Sequence, residues 1–337
     1  MGHSAGAEIS ILAFERYDPT DASIAWLRAQ GLKVKAGHAL WEMPFERFSE
    51  DQLISEATGC VALMGASGTR ISRRVIESLP ELRFISKFGI GVDSIDMDAA
   101  TEHGVLVSNT PNPLKIFTVS EHAVAMMLAL AKQFWTWTPE FMRQGGWRGL
   151  THSAVLRGAT VGIIGLGRIG RGVAQRLNGW EATLIGYDPH LAQAPEGVQR
   201  VGLEELIARS DFITLHAAPD ASNKHLLDRA AFAAMKPTAY VINTGRGSLI
   251  DYAALREALA ERRVAGAALD VFDTEPPRVD DPLFSMPNVL CTPHVAAWTT
   301  EDTAGIGWHA ARNLWGMISG EGHVDLVNPE ATGKGRG

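Results

Sequence analysis

The sequence predicts an α/β protein built from two successive series of parallel strands. Three observations predict it. At roughly 150 residues per domain, 337 residues is enough chain for about two domains. Short apolar, β-branched runs alternate with amphipathic helical patterns along nearly the whole length. That alternation comes in two series, separated by a segment with two prolines and a strongly apolar helix, and repeated strand–helix units of this kind form parallel layers.

In the first series, strands are expected at 9–14, 61–64, 84–88 and 105–108, with helices at 21–30 and 71–79. Gly31, Gly59 and Gly104 each follow a helical pattern and precede an apolar run, as helix C-caps do. The first series ends near Asn109. Residues 110–113, with Pro111 and Pro113, continue neither strand nor helix, and 119–133 reads as an apolar crossing helix. After the Trp/Gly-rich stretch 135–149, six strands are expected at 160–164, 183–187, 212–216, 240–243, 266–271 and 289–292. Helical patterns at 169–178, 203–208, 229–235 and 252–262 separate several of them, in the order of a doubly wound dinucleotide fold. A long helix at 300–318 is assigned back to the first series.

Apolar residues make up 46% and charged residues 20% of the chain, a globular composition. With 31 basic against 38 acidic residues, a net charge of −7 and no basic run, nucleic acid is not an expected partner. The apolar stretch 123–131 falls far short of the roughly 20 residues a bilayer needs, and no basic-then-apolar segment opens the chain. A cytoplasmic protein without membrane association is expected. The two cysteines, Cys60 and Cys291, sit beside apolar neighbours and predict two buried thiols rather than a disulfide. No metal site is expected: the eleven histidines are scattered and no H-E-x-x-H or paired C-x-x-C occurs. G-x-S-x-G and G-x-x-x-x-G-K are absent too, which argues against a serine hydrolase and a P-loop NTPase.

The strand at 160–164 runs into Gly165-Leu166-Gly167-Arg168-Ile169-Gly170 and then a helix. In this G-x-G-x-x-G, Gly165 allows the tight turn, Gly167 lets the backbone approach a pyrophosphate, and Gly170 lets helix and strand pack closely. The next strand ends in Asp188, at the distance where a carboxylate accepts from an adenosine ribose and repels a 2′-phosphate, so NAD is favoured over NADP. The alternative for Asp188 is an ordinary turn residue before Pro189.

Ligands of open α/β sheets lie outside the carboxyl ends of strands, and three ionisable residues occur there: Arg246, Glu275 and His294. Hydride transfer to a 2-keto acid builds charge on the carbonyl oxygen, and histidine titrates where it can supply the proton. A nearby carboxylate, Glu275, fixes the ring, and the fork of Arg246 suits the substrate carboxylate. Singly, each also reads as a surface ion pair, a turn residue or a strand-end histidine.

Together the Gly165–Gly170 loop with Asp188, Asn243-Thr244-Gly245-Arg246-Gly247, Ala268-Leu269-Asp270-Val271-Phe272, Glu275-Pro276-Pro277, Thr292-Pro293-His294 and Val119-Ser120-Glu121-His122 resemble the D-isomer-specific 2-hydroxyacid dehydrogenases, over nearly the whole chain. The resemblance implies two Rossmann-like domains: a flavodoxin-like substrate domain of 1–109 and 296–337, and a doubly wound NAD-binding domain of 110–295. It implies a homodimer through the inserted domain, a small 2-hydroxy or 2-keto acid as substrate, and Arg246, Glu275 and His294 as catalytic residues. It further places Arg168, Ile169, His216, Thr244, Asp270 and Ala296 at the cofactor. Ser67 to Thr69 and the backbone amides of Gly89 to Asp93, Gly91 included, fall to the substrate. The alternative for Gly89 and Gly91 is a plain strand-to-helix turn, and for Asp270 a brace at a strand end. Trp298 either closes the pocket over a small substrate or packs between domains. Pro111-Asn112-Pro113 departs from the Pro-Gly of many relatives, and since the chain stops soon after Val327-Asn328-Pro329, serine control through an appended domain is not expected. The competing class is an NAD(H)-sensing corepressor of the C-terminal-binding-protein type, which turnover distinguishes from an enzyme.

Overall fold

A computed structural model of the chain describes residues 9–42, 47–65, 68–134, 136–148, 152–219 and 223–334. The chain divides into two compact units, Met1–Pro113 with Thr300–Gly337, and Leu114–Thr299.

The first unit opens with β1 (Ser10–Arg16), α1 (Ala22–Ala29), β2 (Lys33–Ala39), α2 (Glu50–Ala57), β3 (Ala62–Gly65), α3 (Arg73–Ser78), β4 (Phe84–Lys87), α4 (Met97–Glu102) and β5 (Leu106–Ser108). The strands are all parallel in the order β2-β1-β3-β4-β5, the flavodoxin-like arrangement. Ile11 and Ala13 of β1 pack into one core and Leu12 and Phe14 into another, which is why this strand reads as an unbroken apolar run. Strand β2 lies outside the expected set because it has no apolar run: among the described residues it pairs with β1 alone, buries Val34 and Ala39, and exposes Lys33 and Lys35, a charged edge that resists pairing with other chains. Helix α2 is also additional. Ser49 and Gln52 close a capping box at its start, and Leu53 and Ala57 are its buried face.

The second unit contains α5 (Lys115–Lys132), α6 (Pro139–Arg143), β6 (Thr160–Ile164), α7 (Arg168–Leu177), β7 (Thr183–Tyr187), β8 (Gln199–Arg200), α8 (Leu203–Arg209), β9 (Phe212–Leu215), α9 (Arg229–Ala234), β10 (Tyr240–Asn243), α10 (Tyr252–Ala260), β11 (Gly266–Leu269) and β12 (Val289–Cys291). Among the described residues its seven parallel strands run β12-β11-β10-β9-β6-β7-β8, a doubly wound sheet whose order reverses between β6 and β9. The expected six strands are all present. The seventh, β8, has two exposed residues and leaves no hydrophobic pattern to detect. Ile213, Val241 and Leu269 face a core with α8, α9 and α10, while Val161, Ile163 and Ile242 face one with α5 and α7.

The chain then returns to the first unit as α11 (Thr300–Ser319). Ile306, Ala310 and Leu314 of α11 join Ile11, Ile24 and Leu27 in one core, and Ser86 Oγ donates to Ala310 O at 2.8 Å. Beyond it, Asn328 accepts from Val107 N at 2.8 Å and donates to Val105 O at 2.9 Å, fastening the last turn to β5. One thiol expectation needs correction: Cys60 is buried, but Cys291 is only half-buried, because β12 is the sheet's outer strand and has a neighbour on one side alone. Among the described residues, no helix is long and apolar enough to cross a membrane and no acidic, His or Cys group is arranged to hold a metal ion.

Candidate active site

The three fingerprint glycines meet three different surroundings. Gly165 has φ +87°, and a Cβ on it would lie 2.5 Å from Ala217 N, so the turn out of β6 passes directly against the end of β9. A Cβ on Gly170 would lie 2.0 Å from Gly165 O, which closes α7 onto that turn. Gly167, the N-cap of α7, has nothing within 4 Å of where its Cβ would be. This open position before the unpaired amides of a ten-residue helix fits a dinucleotide pyrophosphate. Arg168 is exposed on the first turn and Ile169 half-buried beside it. Asp188 directly follows β7 in a local turn. Its Oδ1 accepts from His190 N at 2.9 Å, a local turn, and its Oδ2 accepts from Leu166 N at 2.9 Å, which ties the end of β7 to the fingerprint loop and sets a carboxylate there.

The three ionisable candidates follow β10, β11 and β12. Asn243, fully buried at the end of β10, folds the next turn by donating to Arg246 O at 2.9 Å and accepting from Gly245 N at 3.0 Å. Arg246 is half-buried and extended, its Nη1 donating to Gly245 O at 2.9 Å. A Cβ on the following Gly247 would lie 2.0 Å from Phe272 O, so only glycine lets the Arg246 turn lie against the chain leaving β11. There Phe272 N donates to Glu275 Oε1 at 3.0 Å, and Glu275 Oε2 lies 2.7 Å from His294 Nδ1. The His294 side chain is 47% exposed and that of Glu275 23%, so the imidazole is the more open member of the pair. Arg246 is thus brought to Glu275 through backbone packing, and Glu275 to His294 through a direct contact.

His294 has φ +56°, a left-handed conformation uncommon outside glycine, though histidine adopts it more readily than most residues. Asp270, fully buried, holds it: Oδ1 accepts from Thr292 Oγ1 at 2.6 Å and from Val295 N at 2.8 Å, and Oδ2 from Ala296 N at 2.9 Å. Asp270 is therefore a brace, and what it braces is the His294 loop, with Ala296 buried as part of the same clamp. His216 directly follows β9 beside the fingerprint turn, with Thr214 Oγ1 2.8 Å from Nε2 and Thr244 Oγ1 3.4 Å from Nδ1. Burial lowers its pKa to about 3, and although the residue keeps some solvent contact, the direction is towards a neutral imidazole. Asn243 and Thr292 were named in the sequence only as members of motifs and given no role of their own, although their places, at a strand's carboxyl end and two residues before His294, were the available signal.

The remaining candidates are less gathered. Trp298 is 36% exposed and its N donates to Val295 O at 2.8 Å. Gly91 is half-buried. The N–H of Gly89 is already committed, donating to Thr110 Oγ1 at 2.7 Å, and the Thr110 N–H returns to Gly89 O at 2.9 Å. That amide serves the turn after β4, as its alternative reading had it. Thr69 is buried and its hydroxyl donates to Glu15 at 2.6 Å. Ser67 lies outside the described residues.

Residues 124–296 match the model of the D-isomer specific 2-hydroxyacid dehydrogenase, NAD binding domain, family. The chain is similar to a D-3-phosphoglycerate dehydrogenase of Archaeoglobus fulgidus, with 36% identity over 92% of this chain. It spans 58% of that relative's length. Among solved structures, D-lactate dehydrogenase from Escherichia coli matches with a TM-score of 0.78 and 29% identity, over 95% of this chain and 100% of that one. A glyoxylate reductase from Paecilomyes thermophila matches at 0.79 and 27%, over 96% and 99%. With a glycine fingerprint, a His294–Glu275 contact and an NAD-binding family match that fall on the same unit, the chain belongs to the D-isomer-specific 2-hydroxyacid dehydrogenase family.

Proposed function

We propose that this chain is an NAD-dependent 2-hydroxyacid dehydrogenase that interconverts a small 2-keto acid and its D-2-hydroxy acid. The observation that carries the reading is the 2.7 Å contact between His294 Nδ1 and Glu275 Oε2, at strand ends in the unit that holds the fingerprint loop. Gly165, Gly167, Arg168, Ile169 and Gly170 hold the dinucleotide phosphates, and His216, Thr244, Asp270 and Ala296 border its nicotinamide end. The bound nicotinamide supplies the hydride in reduction and takes it in oxidation. With Nδ1 engaged by Glu275, His294 Nε2 gives its proton to the carbonyl oxygen in reduction and recovers it in the reverse direction. Glu275 holds the ring's orientation through the 2.7 Å contact with Nδ1. Arg246 pairs its planar guanidinium with the substrate carboxylate and polarises the carbonyl. Neutral His216 adds no second cation. The carboxylate of Asp188 favours NAD over NADP, and the proposal extends to substrate contacts by Gly91 and Trp298. Two free cysteines suit a reducing cytoplasm.

We also assign the chain to homodimers through the Leu114–Thr299 unit, on which Phe117, Phe134, Met142, Trp147 and Val155 are exposed apolar residues. Analytical ultracentrifugation reads this directly, and a monomer at micromolar concentration refutes it.

The test of activity is loss of NADH absorbance with glyoxylate, hydroxypyruvate, pyruvate, phenylpyruvate, 2-ketoisocaproate and phosphohydroxypyruvate. Turnover of any one establishes the reductase and ranks the substrates by size and charge. Tight NADH binding without turnover on all six replaces the proposal with an NAD(H)-sensing role. In an active protein, His294→Ala is expected to lower kcat by about 10²-fold or more while NADH still binds, and full activity in that variant rejects His294 as the acid.

A further inference from the structure

The run Val119-Ser120-Glu121-His122 lies on α5, and its side chains point apart, as residues about 100° from one another on a helix must. Ser120 and Glu121 serve α7. A Cβ on Gly172 would lie 3.0 Å from Ser120 Oγ, so small residues set the helix spacing there, and Glu121 Oε1 pairs with Arg176 Nη2 at 2.9 Å. His122 turns the other way, towards the loop after β12. Its Nε2 lies 3.2 Å from Thr292 Oγ1 and 3.7 Å from Asp270 Oδ1.

Proton counting fixes who donates. The Thr292 hydroxyl has one proton, which points to Asp270 Oδ1 at 2.6 Å, an oxygen that also accepts from Val295 N. Thr292 Oγ1 therefore accepts from His122, whose Nε2 carries a hydrogen. The sequence His122, Thr292, Asp270 is a directed chain of hydrogen bonds ending on the two amides that follow His294. We propose that His122 is a positioning residue: from the long helix it orients the Thr292 hydroxyl onto Asp270 and so fixes the left-handed turn that aims His294. It touches neither substrate nor cofactor in this role. The inference rests on His294 as the acid–base group.

The test compares His122→Leu, His122→Gln and Thr292→Val in the full chain. Leucine keeps the bulk and removes the donor; the amide nitrogen of glutamine reaches where Nε2 sits. Because small displacements of a catalytic group cost much of its rate, H122L and T292V are each expected to lower kcat about tenfold with NADH affinity unchanged. H122Q restores most of the rate, and the double variant H122L/T292V is no slower than either single one, since both cut the same chain. A wild-type kcat in H122L, losses that multiply in the double variant, or a fall in NADH affinity that tracks the fall in kcat would each overturn the proposal. The 15N signals of the His294 ring, assigned with His294→Ala, give a readout that needs no turnover. They are expected to shift in H122L and not in H122Q. If the wild type turns over nothing, the function proposed above fails while these signals still decide the position of the loop: unchanged signals in H122L reject the role of His122.

Discussion

The fingerprint glycines allow stability and cofactor binding to be separated with single methyl groups. In Gly170→Ala, the added carbon would sit 2.0 Å from Gly165 O, roughly 1.5 Å short of ordinary contact, and the obstacle is backbone rather than a side chain that could swing away. Alanine would gain up to about 1 kcal/mol of helix propensity, but overpacking of this kind costs about 1–3 kcal/mol and more where the neighbour cannot yield, so the expected net loss is about 1–3 kcal/mol. For a unit of this size each kcal/mol is about 2–4 °C, giving a fall in Tm of about 2–12 °C. Gly167→Ala has the opposite profile. Its φ of −68° suits alanine and nothing lies within 4 Å, so the unliganded protein should stay within about 0.5 kcal/mol of wild type. The methyl would stand where the pyrophosphate must approach, with an expected tenfold or greater loss of NADH affinity. At NADH near 100 times the wild-type Kd, ligand stabilisation is about 2.7 kcal/mol, and a tenfold weaker site keeps only about half of it. Thermal melts with and without NADH, together with NADH fluorescence titration, measure both quantities. The reasoning is refuted if G167A binds NADH as tightly as wild type, or if it melts as early as G170A without ligand.

Asp188→Ala should erode the preference for NADH over NADPH, because it removes the charge that repels a 2′-phosphate, and an unchanged ratio of kcat/KM for the two cofactors would remove Asp188 from that role. Arg246→Lys keeps the charge and loses the fork, so KM for the keto acid should rise about tenfold or more while NADH affinity holds; an unaltered KM would argue against a paired carboxylate. His216 binds its proton more weakly folded than unfolded, so the unfolded chain takes up a proton that the native one refuses. Its contribution to stability is complete above about pH 6.5, the unfolded value, and is lost as pH falls towards about 3. The melting temperature of wild type relative to His216→Gln should fall as pH drops through that window, and a constant difference would mean that His216 binds its proton as readily in the native as in the unfolded chain.

Strands buried on both faces were legible in the sequence, since continuous apolar runs such as 160–164 and 240–243 coincide with β6 and β10. Edges were not. The lysines of β2 and the two exposed residues of β8 satisfy solvent rather than a core, and so leave no period. The site divides along a similar line. Glycines, Asp188 and the pairing of Glu275 with His294 could be read because their chemistry depends on residue type at a place along the chain. For Asp270 the sequence offered a brace as an alternative but not what it braces: its three partners, Thr292, Val295 and Ala296, lie more than twenty positions away and two of them contribute only backbone amides. The Gly89 amide shows the reverse case, where a recognisable loop hid a competing acceptor, Thr110 Oγ1, twenty-one positions on.

The return of α11 to the first unit sets an order of events during synthesis. Residues 114–299 are contiguous and can close their own sheet as soon as they emerge, whereas β1 and its neighbours must wait for Ile306, Ala310 and Leu314 to cover one of their faces. At about 5–20 residues per second the intervening 186 residues (299 − 113) take on the order of 10–40 s to make. For that interval Ile11, Ala13, Ile24 and Leu27 share an uncapped apolar surface on the nascent chain, which makes the unit begun first the one completed last and the one with most need of a chaperone.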